Sequence, residues 1–121
     1  MLQSFVPKFL IPLAFALLPL GAEAHAVLLD SNPAANARVS GLKIPFALRY
    51  NSRIDHERSR LTLTLPDHST RVLPIDPASP DDALDSTAEL PPGNYSLRWQ
   101  VLAVDGHITR GDVPFTVGGG E

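Results

Sequence analysis

Three side chains in this sequence have the types and spacing to hold a metal ion: His25, Asp105 and His107. Asp105-Gly106-His107 puts a carboxylate and an imidazole at i and i+2, positions that leave an extended segment on the same side. Gly106 lets the backbone turn tightly between them. One carboxylate oxygen and one ring nitrogen can then converge on a point. His25 follows Ala22-Glu23-Ala24, with small residues at both key positions of an A-x-A cleavage site. A cut after Ala24 makes His25 the first residue. Its free amine and its own imidazole then chelate a metal through two nitrogens before any folding. The expected donor set is one amine, two imidazoles and one carboxylate.

Such a set selects among metals. Nitrogen- and oxygen-rich tetragonal sites favour Cu(II), which tops the divalent affinity order. Zn(II) competes for the same ligands but prefers a tetrahedron. Cu(I) prefers sulfur, and the chain has no cysteine; Met1, its one methionine, lies in the segment expected to be removed. The expectation is one Cu(II) per mature chain, with thiolate sites and thiol enzymes excluded. Alone, Asp-Gly-His is ordinary turn composition; the histidine beside the cleavage site is what turns it toward a metal.

The other two histidines read differently. His68 sits in Asp67-His68-Ser69, a turn between strand-like segments, and is expected in solvent. His56 lies in Arg53-Ile54-Asp55-His56-Glu57-Arg58, a dense charge run of the kind that forms a solvated surface. A second, weaker metal site on Asp55, His56 or Glu57 is the alternative there.

The elements that must position these residues begin after a leader. Lys8 is the only charge before Glu23, and Phe9 to Leu20 is an unbroken apolar run. A basic start, a short apolar stretch and a small-residue site describe a secretory signal peptide over residues 1–24. The run holds about a dozen residues, short of the ~18–20 that span a bilayer, and Pro12 and Pro19 interrupt it. The mature domain is then residues 25–121, periplasmic, with no membrane span. Removing Lys8 and Glu23 together leaves the formal charge at −3. No basic patch stands out, so nucleic acid and anionic membrane surfaces are poor candidates as partners.

No helical period appears after the leader. His25–Asp30 reads as a first strand stopped by Ser31-Asn32-Pro33, and Leu42–Tyr50 as a second, with Pro45 marking an edge or bulge. Leu61, Leu63 and Leu65 alternate with threonines, as in a half-buried strand. Thr70–Ile75 returns as a hairpin partner. Ala83–Leu90 holds a short strand, and Pro91-Pro92-Gly93-Asn94 is a strong turn. Tyr95–Val104 places Tyr95, Leu97, Trp99, Val101 and Ala103 on one face. Val113–Val117 closes the domain. About seven short strands with frequent turns predict an all-β, immunoglobulin-like Greek-key sandwich or barrel, with Trp99 and Phe115 in its core.

Several segments together resemble the CopC family of periplasmic copper-resistance proteins. They are Ala24-His25-Ala26, Ser31-Asn32-Pro33-Ala34, Pro92-Gly93-Asn94-Tyr95, Trp99 through His107 (WQVLAVDGH), Gly111 and Phe115-Thr116-Val117. The resemblance spans the mature chain. It implies a seven-stranded Greek-key β-fold and a Cu(II) site made of the terminal amine and imidazole of His25 with Asp105 and His107. It also implies exchange of copper with a CopD-type membrane transporter or other periplasmic copper proteins. Some members carry a methionine-rich Cu(I) site; this sequence lacks those methionines, so the resemblance stops at Cu(II). Asn51–Arg60 resembles a variant of some members, with no role attached.

The function expected is copper storage, buffering or delivery without catalysis. Two rivals come from other classes. A terminal histidine chelating copper is similar to the brace of copper-dependent polysaccharide monooxygenases, but few aromatic residues are present to face a sugar, and Asp105 claims coordination space that oxygen needs. A metal-free immunoglobulin-like interaction module is the other, since sandwiches host many functions.

Overall fold

A computed structural model of the chain describes residues 25–119. The expected leader lies outside the described residues. Among the described residues no helix is long and apolar enough to cross a membrane. They form eight strands: β1 (Leu28–Asn32), β2 (Ala37–Val39), β3 (Lys43–Tyr50), β4 (Arg60–Thr64), β5 (Thr70–Leu73), β6 (Ala83–Glu89), β7 (Gly93–Leu102) and β8 (Ile108–Val117). One sheet has the order β1-β3-β6 and the other β2-β8-β7-β4-β5. The chain crosses between the sheets at every connection except the β4–β5 and β7–β8 hairpins, which is the Greek-key immunoglobulin arrangement.

Period-two patterning makes these strands. Ile44, Phe46, Leu48 and Tyr50 of β3 are buried and alternate with exposed residues. Tyr95, Leu97, Trp99 and Val101 do the same on β7, and Ala103 continues the buried face beyond it. The two inner faces meet through rings: Tyr50 packs edge-on to Trp99 with centroids 5.4 Å apart, and Phe46 on Phe115 at 5.7 Å. Each such fully buried side chain contributes on the order of 1.5–3 kcal/mol by leaving water. The Tyr95 hydroxyl donates to the Pro91 carbonyl at 2.6 Å. This pins the start of β7 as the tyrosine corner of immunoglobulin-like domains does.

The eighth strand is β2, three residues paired in parallel with the end of β8. Ala37-Arg38-Val39 alternates but is too short to read as a strand by itself, and it exists because β8 offers it a free edge. β8 also starts five residues before the expected Val113, since Ile108–Asp112 continues the antiparallel ladder opposite Arg98–Leu102. β1 runs on through Ser31 and Asn32, which pair with Leu48 and Ala47. Pro45 lies inside β3, a central strand, yet β1 pairs only with Ala47 to Tyr50, so that flank of β3 is open at Pro45.

Candidate metal centre

The candidate ligands come from two places at one end of the sandwich. β7 and β8 pair up to Leu102 and Ile108 and are joined by residues 103–107. The loop closes on itself: Gly106 N–H donates to the Ala103 carbonyl, and Ala103 N–H to the His107 carbonyl, both at 2.9 Å. Gly106 sits at φ +90°, a conformation L-residues rarely adopt, and this is why glycine separates the two candidate ligands. Asp105 Oδ1 accepts the His107 backbone N–H at 3.0 Å, and Asp105 Oδ2 lies 3.0 Å from His107 Nδ1. An ionised carboxylate only accepts, so Nδ1 carries the proton. In the neutral ring the Nε2 lone pair is then left for a metal.

These contacts also set the charge of the site. The Asp105 carboxyl is held below its ordinary 3.8, first by the His107 backbone N–H, then by the His107 side chain and the nearby histidine charges, against a smaller cost of desolvation. Asp105 is therefore anionic at neutral pH and faces two rings, a combination suited to a dication.

His25 arrives on the short arm ahead of β1. Ala26 is buried and turns its backbone toward β8, where its carbonyl accepts the Thr109 hydroxyl at 3.2 Å. Val27 is held by Asn51 in both directions: Asn51 Oδ1 accepts the Val27 N–H at 2.8 Å, and the Val27 carbonyl accepts the Asn51 N–H at 3.0 Å. The His25 ring then meets the His107 ring edge to face, with centroids 4.5 Å apart. One ligand atom from each of His25, Asp105 and His107 lies within 4.8 Å of the other two, and all three residues are exposed. Opposing donors around one first-row ion bound at ~2.0–2.2 Å stand about 4.0–4.4 Å apart, so the three ligand atoms lie close to the spread that a single metal requires.

The remaining histidines stand apart. His68 is exposed at the tip of the β4–β5 turn, as expected, at φ +73°. His56 is only partly exposed and its loop is not simply solvated. Its Nε2 lies 2.9 Å from the carbonyls of both Pro80 and Ala83. Carbonyls only accept, so this nitrogen carries a proton and its lone pair is not offered to a metal. Asp55 Oδ1 caps the backbone N–H groups of Glu57 and Arg58. Among the described residues His25, Asp105 and His107 form the one group of three such side chains within mutual reach, and Asp55, His56 and Glu57 are not brought together as such a group. Asn51 and Thr109, which hold the His25 arm, carried no local signal: a single Asn and a single Thr in strand-like surroundings are ordinary.

Comparison with known proteins places this chain in a family. A family model described as the CopC domain matches residues 28–118. The protein YobA of Escherichia coli K12 is 32% identical over 98 residues, covering 78% of this chain and 79% of YobA. The crystal structure of CopC from Methylosinus trichosporium OB3b superposes with a TM-score of 0.70 at 26% identity, over 80% of this chain and 97% of that one. PcoC, a methionine-rich copper resistance protein from Escherichia coli, superposes at 0.61 with 26% identity, over 78% of this chain and 100% of PcoC. With sequence and architecture in agreement along nearly the whole described domain, the chain belongs to the CopC family.

Proposed function

We propose that this protein is exported to the periplasm, cut after Ala24, and binds one Cu(II) ion for storage, buffering or delivery in copper homeostasis and resistance. The observation that carries the reading is the convergence of His25 on Asp105 and His107 from distant parts of the chain. Cleavage adds a fourth donor, the amine of residue 25, tethered to the same imidazole. Three nitrogens and a carboxylate favour Cu(II) over Cu(I), and the domain offers no sulfur. PcoC, a relative in structure, is itself a copper resistance protein. The protein acts as a carrier and not a catalyst, with its copper passed to or from partners such as a CopD-type membrane transporter.

The test is a Cu(II) titration against a competing chelator, using protein that starts at His25. One tight equivalent is expected. His25→Ala, and a version with one extra residue ahead of His25 that abolishes the amine–imidazole chelate, should each lose tight binding. Unchanged binding in both removes the proposal. N-terminal sequencing of the exported protein checks the cleavage independently, since a cut one residue away from Ala24 destroys the chelate.

A further inference from the structure

The segment between β3 and β4 touches both halves of the candidate centre. At its start, Asn51 makes the two-way clamp on Val27, two residues from His25. Farther along, Ile54 forms an isolated antiparallel bridge with Ala103, the first residue of the turn that carries Asp105 and His107. Asp55 N–H donates to the Leu102 carbonyl at 2.9 Å. Leu102 N–H donates to Ser59 Oγ at 3.2 Å, and the Ser59 hydroxyl donates to the Asp55 carbonyl at 2.6 Å. The segment is anchored from behind: Ile54 N–H donates to the Asp81 carbonyl at 3.0 Å, and His56 Nε2–H is shared between Pro80 and Ala83. Between the arm and the turn themselves, the direct ties are the Thr109–Ala26 hydrogen bond and the contact of the two rings.

We propose that Asn51 and Ser59 are positioning residues for copper: the 51–59 segment sets the separation between the terminal histidine and the Asp105-Gly106-His107 turn before the metal arrives. A three-residue arm at a chain end frays unless tied down, and a ligand on a frayed arm must be ordered at the moment of binding, which weakens affinity. Asn51 ties the arm; Ser59, inserted between Asp55 and Leu102, ties the base of the turn to the same segment.

This inference rests on the Cu(II) reading, and the experiment separates the two. Cu(II) alone is the probe, with wild type, His25→Ala, Asn51→Ala, Ser59→Ala and Ser59→Thr in the form that starts at His25. Circular dichroism and thermal unfolding select the folded variants. Asn51→Ala is expected to weaken Cu(II) binding about tenfold or more, the usual scale for residues that orient ligands, to speed copper release to a chelator, and to broaden the Cu(II) electron paramagnetic resonance spectrum. In the metal-free protein it should lower the backbone order parameters of residues 26–28 while the β-core keeps its values. Ser59→Ala should weaken binding in the same direction, and Ser59→Thr, which keeps the hydroxyl, should restore it. The inference is overturned if wild type binds and His25→Ala does not, yet folded Asn51→Ala and Ser59→Ala match wild type in affinity, release rate and spectrum. Should Asn51→Ala not fold, the Ser59 pair decides alone. If wild type itself binds no Cu(II), the underlying reading fails and the brace with it.

Discussion

The imidazoles of His25 and His107 meet at an interplanar angle of 84° with 4.5 Å between ring centres. Neither ring is buried, so no packing force compels the meeting. It follows from the backbone on each side: the arm tied to Thr109 and Asn51, and the turn closed over Gly106.

Acidification should release copper through the nitrogens. Ordinary imidazoles take up a proton near pH ~6.5 and terminal amines near ~7.7–8.0, and either proton displaces a metal. Asp105 gives up no part of its charge in that window. Its folded pKa lies below 3.8, so the fold favours the ionised form; that contribution is complete at neutral pH and is lost only as pH falls through the lowered value. Competitive Cu(II) titrations from pH 8 to 5 should show affinity falling throughout. Asp105→Asn, which removes both a donor and the carboxylate against His107 Nδ1, should lower it by roughly tenfold or more at neutral pH. Unchanged affinity in Asp105→Asn contradicts a place for Asp105 in the donor set.

Replacing Gly106 should cost backbone strain at the turn and leave the packed core intact. A Cβ there meets nothing within 4 Å, so the cost lies in the φ of +90° alone. That strain is about 1–2 kcal/mol, equivalent to about a five- to thirtyfold change in an equilibrium. Gly106→Ala should keep the circular dichroism spectrum and show the loss as a lower melting temperature, weaker Cu(II) binding, or both.

Gly111→Ala should act through the core instead. Gly111 faces Trp99 across the β7–β8 ladder, and an added Cβ would lie 2.4 Å from Trp99 Cζ2. The indole must move, at about 1–3 kcal/mol for overpacking. Trp99 is the only tryptophan, so its emission reports the event: a red shift and a lower melting temperature are expected. An unchanged spectrum would mean the ring is not seated on Gly111.

Tyr50→Phe should leave stability unchanged or raise it. The Tyr50 hydroxyl is buried and has no hydrogen-bond partner among the described residues, and an unsatisfied buried polar group costs about 1–3 kcal/mol. Burial also pushes its pKa well above the ordinary 10.0. An acid whose folded pKa is raised contributes its full stability below the unfolded value and loses it as pH rises beyond that. Wild type should therefore lose more stability than Tyr50→Phe between pH 9 and about pH 11, measured by denaturant unfolding.

Much of the sandwich was legible in local pattern. Strict alternation in Leu61-Thr62-Leu63 and from Tyr95 to Ala103 named the inward face residue by residue, because a strand exposes its sides in turn. The short strand Ala37–Val39 and the early start of β8 were not legible. Their pairing is supplied by a neighbouring edge distant in the chain, and polar residues such as Thr109 and Arg110 join a ladder through backbone groups that every residue carries.

For the metal centre, the amino-acid sequence by itself determined the chemistry: which donors exist, that they are nitrogen and oxygen, and that Asp105 and His107 share one side of a glycine turn. The family resemblance assigned His25 to the same site; tertiary structure decided how the arm reaches it, and that the charged stretch from Asn51 to Ser59 is hydrogen-bonded to both halves. The physical reason is that ligand identity resides in side chains and their local spacing. The distance between two chain segments is set by backbone hydrogen bonds and by which sheet each strand joins, and neither leaves a mark in residue type.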